Sequence, residues 1–307
     1  MSREEWIRRV HPAAENFEFR RLANPSTGPS QIADRGRRAL RRLAEWGVAV
    51  PKGCRLERAT EFIETTRMDE DAMVSAGDAY LTRIGESTRT IVELYMATHA
   101  RSKKPPAIVL EKLLLAVQGA DTPSQERSHA ARDAQWELYI WGMMTATSVP
   151  CEFVEPPDLV IEYGRERLAI AAKRIWSQEQ ARRRVSKAAD QIEDSHLRGF
   201  IAVNAQEYLT DASAGDDLRT KGEEFNKDLS RLHGHIPYLA KKPHVLGLIV
   251  GGTVYRWTKS NDGTRRVAFS NFYQMLVLTD DDDGERFARE FTDTQASALG
   301  TWFHENM

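Results

Sequence analysis

The spacing of hydrophobic positions in the first part of the chain predicts helices and no strands. Apolar residues recur at helical spacing, with polar residues on the opposite face, which is typical of amphipathic helices. The stretches with this period are 31–46, 90–99, 108–118 and 125–147. No convincing alternation or β-branched run precedes residue 148. We therefore predict a helical domain over residues 1–124, with the helix at 125–147 opening a second domain that extends to residue 307.

The second part of the chain has short apolar runs that predict strands. They lie at 149–154, 159–163, 167–173, 199–204, 245–250, 253–257 and 273–278. A helix over 178–192 separates the third and fourth runs, and polar helical patterns follow at 208–240 and 284–306. The pair Gly251-Gly252 is interpreted as a turn between two strands. A strand, a helix and a second strand in this order predict a mixed sheet with helices packed on it.

The two runs around Gly164 predict a β-hairpin with a defined register. A two-residue turn at Gly164-Arg165 uses the positive φ that glycine adopts readily. Tyr163 then pairs with Glu166, and Asp158 lies opposite residue 171. Side chains alternate between the two faces of a strand, so residue 173 points to the same face as residue 171.

Composition limits the classes of protein that fit. The chain has 307 residues, of which 29% are charged, and its net charge is -2. A surface that binds nucleic acid must therefore be local. The two cysteines are too few for a disulfide framework or a zinc site. No apolar run approaches the ~20 residues of a membrane span, and the charged N-terminus carries no signal peptide. We expect a soluble cytoplasmic protein that does not bind a membrane.

The hairpin resembles the core of the PD-(D/E)xK nuclease superfamily. That family has an acid after a proline, a hairpin, and an acid-any-lysine triplet at the end of the second strand. Here Pro157-Asp158 matches the first part and Lys173 matches the last, but residue 171 is alanine. The resemblance implies an α+β or α/β fold, a restriction-endonuclease-like α/β/α sandwich with a mixed central sheet.

The resemblance also implies a metal site for Mg²⁺ or Mn²⁺. Asp158, an acid at the position of Ala171, and the backbone carbonyl of Ala172 would hold the metal, and Lys173 would stabilise charge on the phosphate. Glu137 lies among apolar residues of the preceding helix and needs a partner, because a bare buried charge is costly. It matches a family glutamate that faces the metal. Gln191, on the helix after the lysine, is a weaker catalytic candidate.

Basic residues follow the hairpin and are candidates for binding nucleic acid. These are Arg174, Arg182, Arg183 and Lys187. Their positive charge suits a phosphate backbone. A solvated helix face accounts for them equally well.

Alanine at position 171 leaves the function open between two hypotheses. Either an acid was replaced by alanine in an otherwise intact nuclease, which we favour, or the chain is a natural degenerate member. The first hypothesis is a metal-dependent nuclease, with DNA as the expected substrate by family analogy and phage defence or restriction as a possible setting. The second is a non-catalytic nucleic-acid-binding or assembly subunit. Both leave this chain inactive. A third hypothesis, in which the motif is coincidental, is a structural interaction protein. The helical domain is a candidate for binding a protein partner or a second copy.

Overall fold

The computed structural model describes most of the chain in several segments. These are residues 28–66, 78–101, 103–122, 125–126, 128–204, 239, 241–259, 265–277 and 282–306. The helical pattern predicted over 208–240 lies outside these residues except at residue 239.

Five helices precede the first strand in the described part of the chain. They are α1 (Pro29–Glu45), α2 (Arg55–Thr65), α3 (Asp78–His99), α4 (Ala107–Val117) and α5 (Ala130–Ala146). The prediction of helices and no strands before residue 148 is confirmed for the described residues. Helix α1 ends at Glu45, and Gly47, two residues later, has a φ of 76° in the left-handed region.

A six-stranded mixed sheet occupies the second half of the described chain. Its strands are β1 (Cys151–Phe153), β2 (Leu159–Tyr163), β3 (Glu166–Arg174), β4 (Gly199–Asn204), β5 (Val245–Lys259) and β6 (Arg265–Val277). Their spatial order follows the sequence. The pairs β3–β4 and β4–β5 are parallel, and the other neighbours are antiparallel. The prediction of helices with a mixed sheet, an α+β class, is confirmed.

Helices cover both faces of this sheet. Residues Ile170 and Ala172 of β3 share one apolar cluster with α5 and with the last helix, α7 (Asp282–Asn306). The indole Nε1 of Trp136 on α5 donates a hydrogen bond of 3.0 Å to the carbonyl of Ala202 in β4. The alternate residues Ala169 and Ala171 belong to a second cluster with the helix between β3 and β4, α6 (Gln178–Ser195). This two-sided burial explains why β3 is an almost continuous apolar run.

The predicted turn at Gly251-Gly252 is wrong. Strand β5 runs from Val245 to Lys259 without interruption, and both glycines pair with residues of β6. Gly251 faces Tyr273 and Gly252 faces Phe272 in the register of this antiparallel pair. The ladder hydrogen bonds with β6 therefore hold the chain extended where local sequence indicates a turn. The terminal helix predicted over 284–306 is confirmed, although it begins two residues earlier.

The described helices before the sheet do not form a separate core. Residues of α1 to α4 belong to the same apolar cluster as α5 and one face of the sheet. The boundary at residue 124 therefore stays a prediction about folding units, because packing is continuous across it.

A buried network of charges lies inside this shared core. Arg132 on α5 donates hydrogen bonds to the carboxylates of Glu86 and Glu126, and Glu86 also accepts a bond of 2.7 Å from Arg89. From the sheet, Arg174 donates a bond of 3.4 Å to the carbonyl of Arg132. All four side chains that meet around Glu86 and Arg132 are buried at 7% exposure or less. Buried charges need such partners, and Arg132 takes its two acids from different segments, Glu86 from α3 and Glu126 from the residues before α5.

Removing the charge of Glu86 should destabilise the fold. Glu86→Gln leaves Arg89 and Arg132 buried with a weaker partner, and we expect a loss of about 3–5 kcal/mol in the free energy of unfolding. Urea denaturation measures the change. The control is Glu111→Gln on the exposed face of α4, for which we expect a change within about 0.5 kcal/mol. Equal effects of the two substitutions would contradict a structural role for the network.

Candidate functional site

The hairpin of β2 and β3 has the predicted register. Gly164 has a φ of 64°, and Arg165 is not in the left-handed region, so glycine supplies the positive φ at the first central position of the turn. Tyr163 pairs with Glu166, and Leu159 pairs with Ile170. The regular pairing ends there, one residue short of Asp158 and position 171.

Asp158 lies just before β2 and contacts the end of β3 through both its backbone and its side chain. Its N–H donates a bond of 3.3 Å to the carbonyl of Ile170, outside the regular pairing of the two strands. Its carboxylate Oδ2 then accepts a bond of 2.7 Å from the N–H of Ala172. Its own carbonyl is used elsewhere and accepts from the N–H of Val154. The carboxylate is therefore fixed over the end of β3 by a backbone hydrogen bond.

Lys173 forms a buried ion pair with this carboxylate. Its Nζ lies 2.6 Å from Asp158 Oδ2 and 3.0 Å from the carbonyl oxygen of Ala172. The side chains of Lys173 and Asp158 are only 9% and 11% exposed. Burial raises the pKa of Asp158, and the neighbouring lysine opposes that rise. The ammonium thus joins two oxygens that the family resemblance assigns to a metal.

Ala171 lies in an apolar environment on the α6 side of the sheet. It is fully buried and belongs to the cluster that contains Val185 of α6 and Ile201 of β4. An alanine fits this packing without a charge to compensate. Position 171 therefore contributes a methyl group to the core and no ligand to the site.

Glu137, predicted to face a metal, has the ammonium of a lysine as its partner in the structure. Its Oε2 is 2.5 Å from the Nζ of Lys112 on α4, and each of these side chains is 14% exposed. Burial raises the pKa of Glu137, and the charge of Asp158 raises it further, while Lys112 and Lys173 lower it. Lys112 also lies 3.5 Å from Glu155, three residues before Asp158, so Glu137 and its lysine lie near the start of β2.

Sequence reasoning missed Lys112 and Asp133. Lys112 is in the helical part, and no local pattern connects it with Glu137. Asp133 precedes Glu137 by about one turn of α5, and its Oδ2 is 3.6 Å from Arg184 of α6. Burial raises the pKa of Asp133, with Arg184 and Lys173 among the charges that lower it. Asp133 and Glu137 are four residues apart, and this spacing is a signal that could have placed both on one face of the helix.

Gln191 does not lie with the other predicted residues. It is roughly 20 Å along α6 from Ser177, the residue that caps the helix start and follows Lys173 closely. Its neighbours on α6 bind the segment that leads into β5: Asp190 pairs with Lys242, and Glu193 pairs with His244. Because β3 and β4 are parallel, α6 runs back from the end of β3 to the start of β4. Gln191 therefore lies toward the opposite end of these strands from Lys173.

The predicted basic residues divide into one buried and three exposed side chains. Arg174 has no exposed surface, donates to the carbonyl of Arg132, and lies over the ring of Trp176 at 4.7 Å. Its prediction as a nucleic-acid contact is wrong, because it faces the core of the protein. Arg182, Arg183 and Lys187 are exposed on α6.

The residues present do not fit a complete Mg²⁺ site. Within the described segments, no three His, Cys, Asp or Glu side chains are arranged to hold a metal ion. Two of the oxygens assigned to the metal, Asp158 Oδ2 and the carbonyl of Ala172, already contact the ammonium of Lys173. Magnesium prefers several oxygen ligands, and position 171 supplies none.

Comparisons with known proteins do not identify the chain. No protein-family model matches it, and neither curated proteins nor solved structures gave a match. Among the described helices, none is long and apolar enough to span a membrane.

The Asp158–Lys173 pair should show strong coupling in a double-mutant cycle. Asp158→Asn or Lys173→Met leaves a buried charge without its partner, and we expect each to cost about 3–5 kcal/mol of unfolding free energy. The double variant removes both charges, so its cost should fall short of the sum by at least about 1 kcal/mol. Urea denaturation gives all four values.

The exposed pair Arg167–Glu152 serves as the matched control. Its side chains are 57% and 61% exposed, and its atoms are 2.7 Å apart, nearly the same distance as in the buried pair. We expect a coupling of at most about 1 kcal/mol there, because water screens the charges. Additive effects at Asp158 and Lys173 would show that their contact carries no stability.

Proposed function

We propose that this chain has the scaffold of a metal-dependent PD-(D/E)xK nuclease that acts on DNA, with catalysis silenced by alanine at position 171. The observation that carries the proposal is the hairpin register. Its pairing ends at Leu159 and Ile170, next to Asp158 and residue 171, and Lys173 binds the Asp158 carboxylate. The restriction-endonuclease-like sandwich is part of the proposal, supported by a mixed sheet with helices on both faces.

Lys173 is the residue of this site best suited to act on a phosphodiester. An ammonium held in a buried setting stabilises negative charge on a phosphoryl oxygen more strongly than one in water. Asp158 and the carbonyl of Ala172 fix its position through bonds of 2.6 Å and 3.0 Å. Hydrolysis also requires a nucleophilic water, and an acid at position 171 would complete the group of oxygens that can activate it.

Restoring an acid should give activity. We expect Ala171→Glu to cut DNA with Mg²⁺ or Mn²⁺ at least about 100-fold faster than the unchanged protein, since a missing charge stabiliser typically costs that much. Gel analysis of linear, supercoiled and single-stranded DNA measures cleavage. Ala171 is fully buried, so circular dichroism and thermal denaturation must first show that the variant is folded.

Two variants test whether such cleavage comes from this site. Ala171→Gln has the size of glutamate without its charge and should remain inactive. Ala171→Glu combined with Lys173→Ala should lose the activity gained. A folded Ala171→Glu protein that cuts no form of DNA or RNA would refute the nuclease proposal.

A second candidate function is nucleic-acid binding without cleavage. The exposed basic residues Arg182, Arg183 and Lys187 on α6 favour it, because this helix begins just after the strand that carries Lys173. Neutralisation of the Asp158 carboxylate by Lys173 also suits a scaffold that has lost its metal. Such a subunit would bind the phosphate backbone through charge.

Removing two of these arginines should weaken binding to DNA. We expect Arg182→Ala/Arg183→Ala to lower affinity and to reduce the slope of log K against log salt by about 1.8, the value for two phosphate contacts. Fluorescence anisotropy with a labelled duplex measures both. The control Arg286→Ala/Arg289→Ala removes two exposed arginines from α7. An equal change in the two proteins would indicate a general charge effect and no site on α6.

A further inference from the structure

Lys112 connects the helical part of the chain to the hairpin site. It lies on α4, and its Nζ is 2.5 Å from Glu137 on α5 and 3.5 Å from Glu155 in the segment before β2. Its ammonium also lies 5.0 Å from the centre of the Phe153 ring in β1. One side chain of α4 thus contacts three segments around the hairpin.

The carboxylates near the hairpin each have an internal cation. Lys173 holds Asp158 at 2.6 Å, and Lys112 holds Glu137 at 2.5 Å. Both pairs are largely buried, and the two pairs influence each other, since Asp158 and Lys173 both act on the charge of Glu137. The buried part of this group, with two lysines and two carboxylates, is therefore electrically neutral, while the third carboxylate, Glu155, is 75% exposed to water.

We propose that Lys112 is a positioning residue that keeps divalent cations out of this site by acting as the counter-ion of Glu137. The inference deepens the proposed function, on which it rests for the identity of the site. It accounts for the poor fit to Mg²⁺: a cation that approaches Glu137 and Asp158 meets two ammonium groups bound to the same carboxylates. Like charges at such short range cost several times more in a protein interior than in water.

The proposal makes the helical part of the chain a component of the site. Helix α4 packs its buried residues Val109 and Leu113 into the shared core, which fixes the position of Lys112 between them. The charge of the site is then set by a residue far from the hairpin in sequence. A neutral residue at position 112 would leave Glu137 negative and free to share a cation with Asp158.

The test measures cation binding, separately from cleavage. Lys112→Gln removes the charge but keeps a donor for Glu137, and Mn²⁺ affinity is measured by calorimetry and by electron paramagnetic resonance. We expect this variant to bind Mn²⁺ at least about tenfold more tightly than the unchanged protein. Lys112→Arg, which keeps the charge, should bind Mn²⁺ as weakly as the unchanged protein.

Two controls identify the residues responsible. Lys112→Gln/Glu137→Gln should lose the gained Mn²⁺ affinity, because the carboxylate is gone. Lys103→Gln removes an exposed lysine from the loop before α4 and should have no effect. Unchanged Mn²⁺ affinity in a folded Lys112→Gln protein would overturn the proposal.

The unchanged protein gives a second measurement that needs no variant to fold. The proposal predicts that its melting temperature changes by less than about 1 °C when Mn²⁺ is added at about 5 mM, since only bound cations stabilise the native state. A clear rise would overturn the proposal. The cleavage test on Ala171→Glu has an independent outcome, so failure of the nuclease function and failure of this inference are distinguishable.

Discussion

The buried ion pair between Asp158 and Lys173 is the contact on which the arrangement of the hairpin end depends. Two ions out of water are stable only when each has a partner and satisfied hydrogen bonds. Here the carboxylate also accepts a hydrogen bond from the N–H of Ala172, and the ammonium donates one to the carbonyl of the same residue. The start of β2 and the end of β3 are therefore held together by the side chains of Asp158 and Lys173 where the regular strand pairing stops.

The same requirement extends from the hairpin into the helical part of the chain. Glu137 is buried against the sheet and takes its cation from α4, through Lys112. Also from β3, Arg174 donates a hydrogen bond to the backbone carbonyl of Arg132, whose own charge is compensated by acids of separate segments. Neighbouring residues of one strand thus connect to the helices in different ways, which ties the sheet to a core that also contains α1 to α4.

The residue at position 171 decides whether this scaffold is expected to attract a divalent cation. The regular pairing ends at Leu159 and Ile170, next to Asp158 and position 171, and an acid at position 171 would add a negative charge near the Asp158–Lys173 pair. Alanine instead leaves the group neutral and joins the apolar packing against α6. A neutral, internally paired group has little attraction for a divalent cation, and one added carboxylate changes that balance because it has no lysine of its own.

The sequence by itself determined the helices before residue 148 and the hairpin register that brings Asp158 near Lys173, because periodicity and turn chemistry act over a few residues. It did not determine that Gly251 and Gly252 lie inside a long strand, since pairing with β6 overrides local turn preference. Local sequence also assigned Arg174 to the surface and Gln191 to the site. It does not show which helix covers each face of β3 or how far along α6 a residue lies from Lys173. Only the tertiary structure decided that Lys112 neutralises Glu137, because that contact joins helices whose sequences carry no sign of each other.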